Sequence, residues 1–430
     1  MTGLRRVDLL LVGRAYVDGS LEEVAVAVDG GRVVAVTRPP LAPLAEKKLE
    51  LGASAILLPG MVDIHVHMRE PGLEYKEDWR TGSMAAAKGG VTCVFDMPNN
   101  SPPANTCERL REKFSRASAK SLVDFGFYAG FSPNLEGLAG CPELFLGLKL
   151  YPEDLFHEKS PDAFALAAKL GKPVVVHAED PSRFKPSDIH SEARPPEAEL
   201  SAARHAILLA ARTGAWLHLT HVSTGAVLRE ALAARVSLSV TTDVTPHHML
   251  LNESLYRGRA AGLAKVNPPL RGEEDRRDVY EAARKLAVDA VATDHAPHSL
   301  DEKVSPSPPP GFPGLEIALH LLLREILEGR FPLRALDLYS RRPSELFGVR
   351  KGVIAPGFDA DFVVVEKSEW VVKGSDFASK AKYTPFEGIV LRTKTAMTFV
   401  RGQLVYRNGE FHEGAWGSLV RPRAGKRVAA

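Results

Sequence analysis

Between residues 61 and 294 short apolar runs alternate with stretches rich in Ala, Leu, Glu and Arg. Eight of the runs have strand length: 61–67, 91–97, 123–128, 144–150, 174–177, 216–221, 236–241 and 288–294. The clearest stretches between them, 78–88, 163–170, 196–212 and 275–285, read as helices. Apolar strands that alternate with helices are the pattern of a parallel sheet covered on both faces. Eight such units predict an α/β fold, a closed (β/α)8 TIM-like barrel, with functional side chains at the carboxyl ends of the strands. The alternation excludes all-β and helical-bundle architectures.

The flanks carry a different pattern. Residues 7–12, 24–28 and 32–36 are β-rich and separated by turns such as Asp29-Gly30-Gly31, which predicts hairpins. A Pro-rich link at 39–43 leads to the first barrel strand, and a Pro-rich loop at 306–313 leads to helical material at 315–328 and 333–346. The chain then turns β-rich again, most clearly at 362–365 and 396–400. Both flanks are expected to meet in one small β-sandwich beside the barrel. That gives residues 1–55 as its first part, 56–347 as the barrel, and 348–430 as its second part and tail.

Composition adds exclusions. The 430 residues are 45% hydrophobic and 25% charged with a net charge of +2, as in ordinary globular proteins, which argues against a dedicated nucleic-acid binder. The basic tail 421–427 is short and is expected to be solvated. No apolar run is long enough to cross a bilayer and no signal-peptide pattern opens the chain, so a cytoplasmic location without membrane contact is expected. Cys93, Cys107 and Cys141 have no C-x-x-C spacing and cannot all pair, which fits a reducing compartment. Gln403 is the only glutamine, a scarcity compatible with a thermophilic source or with codon bias.

The candidate chemistry begins at His65-Val66-His67. Read as strand, the two imidazoles point to one side, where they could share a metal. Alone, H-x-H is more often a pair of ordinary half-buried histidines than a metal site. Its weight comes from recurrence: Lys149 near the end of the fourth predicted strand, His177 ending the fifth, His221 the sixth and Asp294 the eighth. Singly, each of these is an ordinary cap or surface charge. Together they put four imidazoles and a carboxylate at one barrel mouth, a donor set suited to Zn²⁺ or a similar borderline ion rather than Mg²⁺ or Ca²⁺. Lys149 is out of place there as an ammonium, although a lysine that adds carbon dioxide becomes a carbamate able to bridge two metals. His218, His247 and His248 fit packing or loop hydrogen bonding, and His157, His190, His205, His320 and His412 have no local site context.

Long segments carry a resemblance: His65-Val66-His67-Met68-Arg69-Glu70-Pro71-Gly72, Met97-Pro98-Asn99-Asn100, Gly147-Leu148-Lys149-Leu150-Tyr151, Asp294-His295-Ala296-Pro297-His298 and the stretch 308–314. With them the chain resembles the dihydroorotases of the amidohydrolase superfamily, of the lysine-bridged type. The resemblance implies a cyclic amide hydrolase that interconverts N-carbamoyl-L-aspartate and L-dihydroorotate in pyrimidine biosynthesis. It implies two Zn²⁺ per chain, one on His65 and His67 and one on His177 and His221, bridged by carboxylated Lys149. Asp294 is then a ligand and the proton carrier, Arg69, Asn99 and His298 hold the substrate carboxylate, and Asn267 and the backbone at Pro310 contact the ring. Thr220 and Asp243 stand where animal-type relatives have a cysteine and a glutamate linked to an extra zinc, so a third metal is not expected. Allantoinase and dihydropyrimidinase or hydantoinase are the rival readings. Arg69 tells against them, because their rings carry no carboxylate. A metal-free scaffold is a further rival, opposed by the complete ligand set. A small-molecule substrate is the implied partner, while a homo-oligomer and association with aspartate transcarbamoylase stay open.

Overall fold

The computed structural model describes residues 6–132, 134–258 and 261–422. Eight parallel strands follow one another in chain order: Met61–Val66, Val91–Asp96, Asp124–Gly130, Gly147–Leu150, Pro173–Val176, Trp216–Leu219, Val240–Val244 and Ala290–Val291. A parallel bridge between Val66 and His295 brings the eighth unit back to the first, so the sheet is a nearly closed barrel. Helices Trp79–Lys88, Cys107–Lys120, Ser160–Leu170, Pro196–Thr213, Gly225–Ala234 and Glu273–Arg284 run between the strands. The sequence sets their limits. Asp78, Thr106 and Thr224 cap the N-termini by accepting backbone N–H groups, and Gly171 and Gly214 close two C-termini in the left-handed region.

The barrel is a packed core rather than a pore. Val62, Ile64, Phe95, Tyr128 and Val175 form one cluster with Phe347, whose ring meets Phe95 at 5.0 Å and Tyr128 at 5.9 Å. Apolar helix faces, with Leu110, Phe164 and Val279 among them, cover the outside of the sheet. The two chain ends share one nine-stranded sheet: Phe362–Val371 lies antiparallel to Ala55–Pro59, which runs directly into the first barrel strand. Where this sheet meets the barrel, Lys351 is buried among Asp124, Asp359 and Asp361. Among the described residues no helix is long and apolar enough to cross a membrane.

Two expectations change. The seventh strand is Val240–Val244 rather than 236–241. The alternating Val-Ser-Leu-Ser-Val resembles a strand, but the N–H groups of residues 235–238 bond back to carbonyls of Ala231, Ala233 and Ala234 and finish the preceding helix. Val236 is 90% exposed as a result. Cys107 and Cys141 form a disulfide across 34 residues of chain, and only Cys93 is a free, buried thiol. Their sequence spacing hid a Cα–Cα distance of 5.9 Å that only the fold creates, so cysteine usage gives no support for a reducing compartment. Most of the basic tail lies outside the described residues.

Candidate active site at the barrel mouth

His65 and His67 stand at the end of the first strand, and their rings begin a chain of four imidazoles. Ring centroids are 5.3 Å apart from His67 to His65, 4.9 Å from His65 to His221 and 4.5 Å from His221 to His177. Asp294 Oδ1 lies 3.3 Å from Nε2 of His65 and 3.1 Å from Nε2 of His67, and these three residues can hold a metal ion. Lys149 is 1% exposed, and its Nζ has no hydrogen-bond partner. All of them line a cavity of about 360 Å³ together with Arg69, Asn99, Asn267, His298 and Pro310, so the fold gathers every candidate metal and substrate residue into one place.

Hydrogen bonds behind the rings decide which nitrogen each imidazole turns to the cavity. Thr220 Oγ donates to Asp243 Oδ2 at 2.7 Å and so accepts from Nδ1 of His65 at 2.5 Å. Asn99 Oδ1 accepts from Nδ1 of His67 at 2.6 Å, and Glu179 accepts from Nε2 of His177 at 2.7 Å. His65 and His67 therefore present a bare Nε2, and His177 a bare Nδ1, each oriented by an outer partner as metal-binding histidines are. Thr220 and Asp243 are spent on this network: Asp243 also takes the His221 N–H at 2.7 Å and His218 Nε2 at 2.8 Å. His218 itself bonds Thr241 through Nδ1 at 2.9 Å, and its ring lies 6.3 Å from that of Phe347.

Burial dominates the electrostatics. It holds the His65 and His67 imidazoles well below their ordinary value, and the nearby Lys149 adds to this. It also pulls the Lys149 ammonium down and pushes the Asp294 carboxyl up, so both groups move toward their neutral forms. Backbone strain gathers at the same mouth. Arg69, His221 and Asp294 have φ values of 63°, 42° and 48°, a region that non-glycine residues rarely occupy unless the surroundings impose it.

Arg69 is 6% exposed and donates from Nε to the Pro297 carbonyl at 3.0 Å, yet no carboxylate among the described residues lies within ion-pair reach of it. The acids next to it in sequence are engaged elsewhere: Glu70 with Lys120, and Glu74 with the Gly72 N–H. Asn99 is placed by a loop that the buried Lys113 fastens, through ion pairing with Asp96 and bonds to Met97 O and Asn100 Oδ1.

Several supporting residues escaped the sequence reading. His190 stands behind the cavity wall, its Nε2 2.8 Å from Oδ1 of the lining residue Asn267. No local signal marks it. Glu179, which Arg194 grips at 2.6 Å, lies two residues past His177, just beyond its strand, and Asp63, which takes N–H bonds from His65 and Thr293 and the Tyr339 hydroxyl, lies two residues before His65 on the first strand. That spacing was a usable signal. Tyr383, from the C-terminal flank, accepts the His298 N–H at 3.3 Å.

Comparison with known proteins agrees with this geometry. The family model described as "Amidohydrolase family" matches residues 56–405. A dihydroorotase of Methanothermobacter thermautotrophicus is 38% identical over 91% of this chain and 93% of its own. One of Pyrobaculum aerophilum is 38% identical over 85% and 92%. Among solved structures, L-hydantoinase from Arthrobacter aurescens superposes with a TM-score of 0.89 at 25% identity, covering 96% of this chain and 100% of its own. Since full-length relatives are more similar in sequence than the hydantoinases that share the fold, the chain belongs to the amidohydrolase family, among its dihydroorotases.

Proposed function

We propose that the chain interconverts N-carbamoyl-L-aspartate and L-dihydroorotate with two zinc ions per chain. The observation that carries this reading is Arg69, a buried guanidinium at the ligand cluster with no carboxylate of its own. A buried cation without a counter-ion is costly unless a ligand supplies one, and dihydroorotate has a carboxylate where neutral hydantoins and dihydropyrimidines have none.

The donor set suits a metal pair: His65, His67 and Asp294 would hold one ion, and His177 and His221 the other. The unpartnered, buried Lys149 Nζ fits the bridging position as a carbamate, formed when the neutral amine adds carbon dioxide and releases a proton. When bound, the ions supply Lewis acidity at the ring amide and a nucleophilic water at neutral pH. Arg69, Asn99 and His298 hold the carboxylate and so orient the ring, while Asn267 and the Pro310 carbonyl engage its polar edge. Asp294 takes the proton of the attacking water and delivers it to the departing ring nitrogen. Ring closure runs the same transfers in reverse and consumes a proton, so cyclisation is favoured as pH falls. We assign this chemistry to residues 56–347, flanked by the segments 1–55 and 348–430.

The test is a parallel assay of the purified, zinc-analysed protein with L-dihydroorotate, allantoin and dihydrouracil. Turnover is expected on dihydroorotate with two zinc ions per chain, and preference for either neutral ring, or full activity in chelator, overturns the reading. Asp294→Asn keeps the shape of the side chain but cannot carry the proton, so kcat should drop by at least about 10² while some metal is retained. A near-normal rate would move the proton-transfer role to another group.

A further inference from the structure

His298 faces the cavity with an imidazole whose proton could sit on either nitrogen, and its neighbours choose between the two. Nδ1 lies 3.1 Å from Lys76 Nζ. Nε2 lies 3.0 Å from the Pro310 carbonyl oxygen and 3.1 Å from Arg69 Nη2. Nδ1 meets only a donor, the Lys76 ammonium, whereas Nε2 meets an acceptor, the Pro310 carbonyl, and a donor, the Arg69 guanidinium; a proton on Nε2 satisfies two of these three contacts and a proton on Nδ1 only one, so Nδ1 is the bare acceptor and Nε2 carries the proton. Glu302 does not reverse this: its Oε2 is 3.7 Å from Nδ1, beyond hydrogen-bond reach, while its Oε1 holds Lys76 Nζ at 2.9 Å. Glu302 is fixed in turn by the Ser299 N–H, donated to Oε2 at 3.0 Å. Lys76 itself is only 12% exposed, so this is a built contact rather than a wandering surface lysine.

We propose that Lys76 is a positioning residue for carboxylate recognition: by donating to Nδ1 of His298 it keeps the imidazole neutral with its proton on Nε2, the nitrogen beside Arg69. The inference rests on the reading of Arg69 and His298 as the carboxylate site. Before substrate arrives, the Nε2 proton is spent on the Pro310 carbonyl. When a carboxylate pairs with Arg69, that N–H turns to the anion, and the released carbonyl is free to accept a ring N–H. One hydrogen bond is exchanged for another and no buried polar atom is stranded. The opposite tautomer would aim a lone pair at the carboxylate and repel it.

The experiment compares the zinc-loaded wild type with Lys76→Met and Lys76→Arg. Lys76→Met should lower kcat/KM for dihydroorotate by about 10- to 100-fold, mostly through KM. Turnover of dihydrouracil, expected to be poor, should change less than about twofold, since it has no carboxylate to lose. Arginine at position 76 also only donates and should restore most of the loss. Independently, ¹⁵N shifts of histidine-labelled protein, assigned through His298→Gln, should show a bare Nδ1 in the wild type and mixed tautomers in Lys76→Met. A protonated Nδ1 in the wild type overturns the proposal, as does an unchanged KM or an equal loss on both substrates. If the wild type itself does not prefer the carboxylated ring, the functional reading fails instead, and the nitrogen shifts still decide the tautomer.

Discussion

Lys149→Ala is expected to remove nearly all turnover, at least about 10³-fold in kcat, and one equivalent of zinc. Lys149 sits at the end of a barrel strand, 1% exposed, its Nζ without a hydrogen-bond partner, on the same cavity as four imidazoles and a carboxylate. As an ammonium it would repel any cation those side chains gathered, and the protein gives it no anion within bonding distance. Burial resolves the conflict by favouring the neutral amine, the form that reacts with carbon dioxide. A carbamate formed there would put an anion beside the imidazole chain, in the bridging role proposed for it. Alanine deletes the bridge and leaves the imidazoles in place. The His65, His67 and Asp294 group should therefore keep its ion while the His177 and His221 pair loses affinity. A short carboxylic acid supplied in the buffer fits the vacated space and should restore a fraction of the rate. Metal analysis and kinetics of the variant, with and without the acid, check each step; unchanged activity removes the bridge from the account.

The parts of this site legible in the sequence were those whose logic is local. A strand-end position and an alternating H-x-H spacing located His65, His67, Lys149, His177, His221 and Asp294, because a barrel sends every strand's carboxyl end to one mouth. The same spacing contained Asp63 and Glu179, two residues from His65 and His177 respectively. What the sequence hid depends on distant segments. Asp63 meets Tyr339 from 276 positions away, Lys76 meets His298 from 222, and Cys107 meets Cys141 only because a helix start and a loop happen to converge. No spacing rule encodes such pairs. The seventh strand shows the converse failure, in which a convincing local alternation lost to the completion of the preceding helix. Its displacement matters for the site, because it carries Asp243 into the strand, where the carboxylate meets Thr220, His218 and the His221 N–H.

Substrate identity turns on Arg69. Its guanidinium is buried beside the His65, His67 and Asp294 cluster, anchored through Nε to the Pro297 carbonyl and by a left-handed backbone, with Nη2 beside His298 and its remaining donors facing the cavity. If it merely braced its loop it would pair with Glu70 or Glu74, and both of those are committed elsewhere. A guanidinium so placed can meet a carboxylate with two parallel bonds, a geometry that an ammonium cannot copy. Removing one partner of a buried charged pair costs about 2–5 kcal/mol, or roughly 30-fold to several-thousand-fold in kcat/KM. Arg69→Met, which keeps the length and apolar bulk, should lose that much on L-dihydroorotate while zinc content is unchanged. Dihydrouracil has no carboxylate and should be a poor substrate for both proteins, with little difference between them. The comparison separates the two roles the residue could have: a selective loss on the carboxylated ring assigns Arg69 to substrate binding, whereas an equal loss on both rings makes it a brace for the Pro297 loop and removes the main support for dihydroorotate over the neutral cyclic amides.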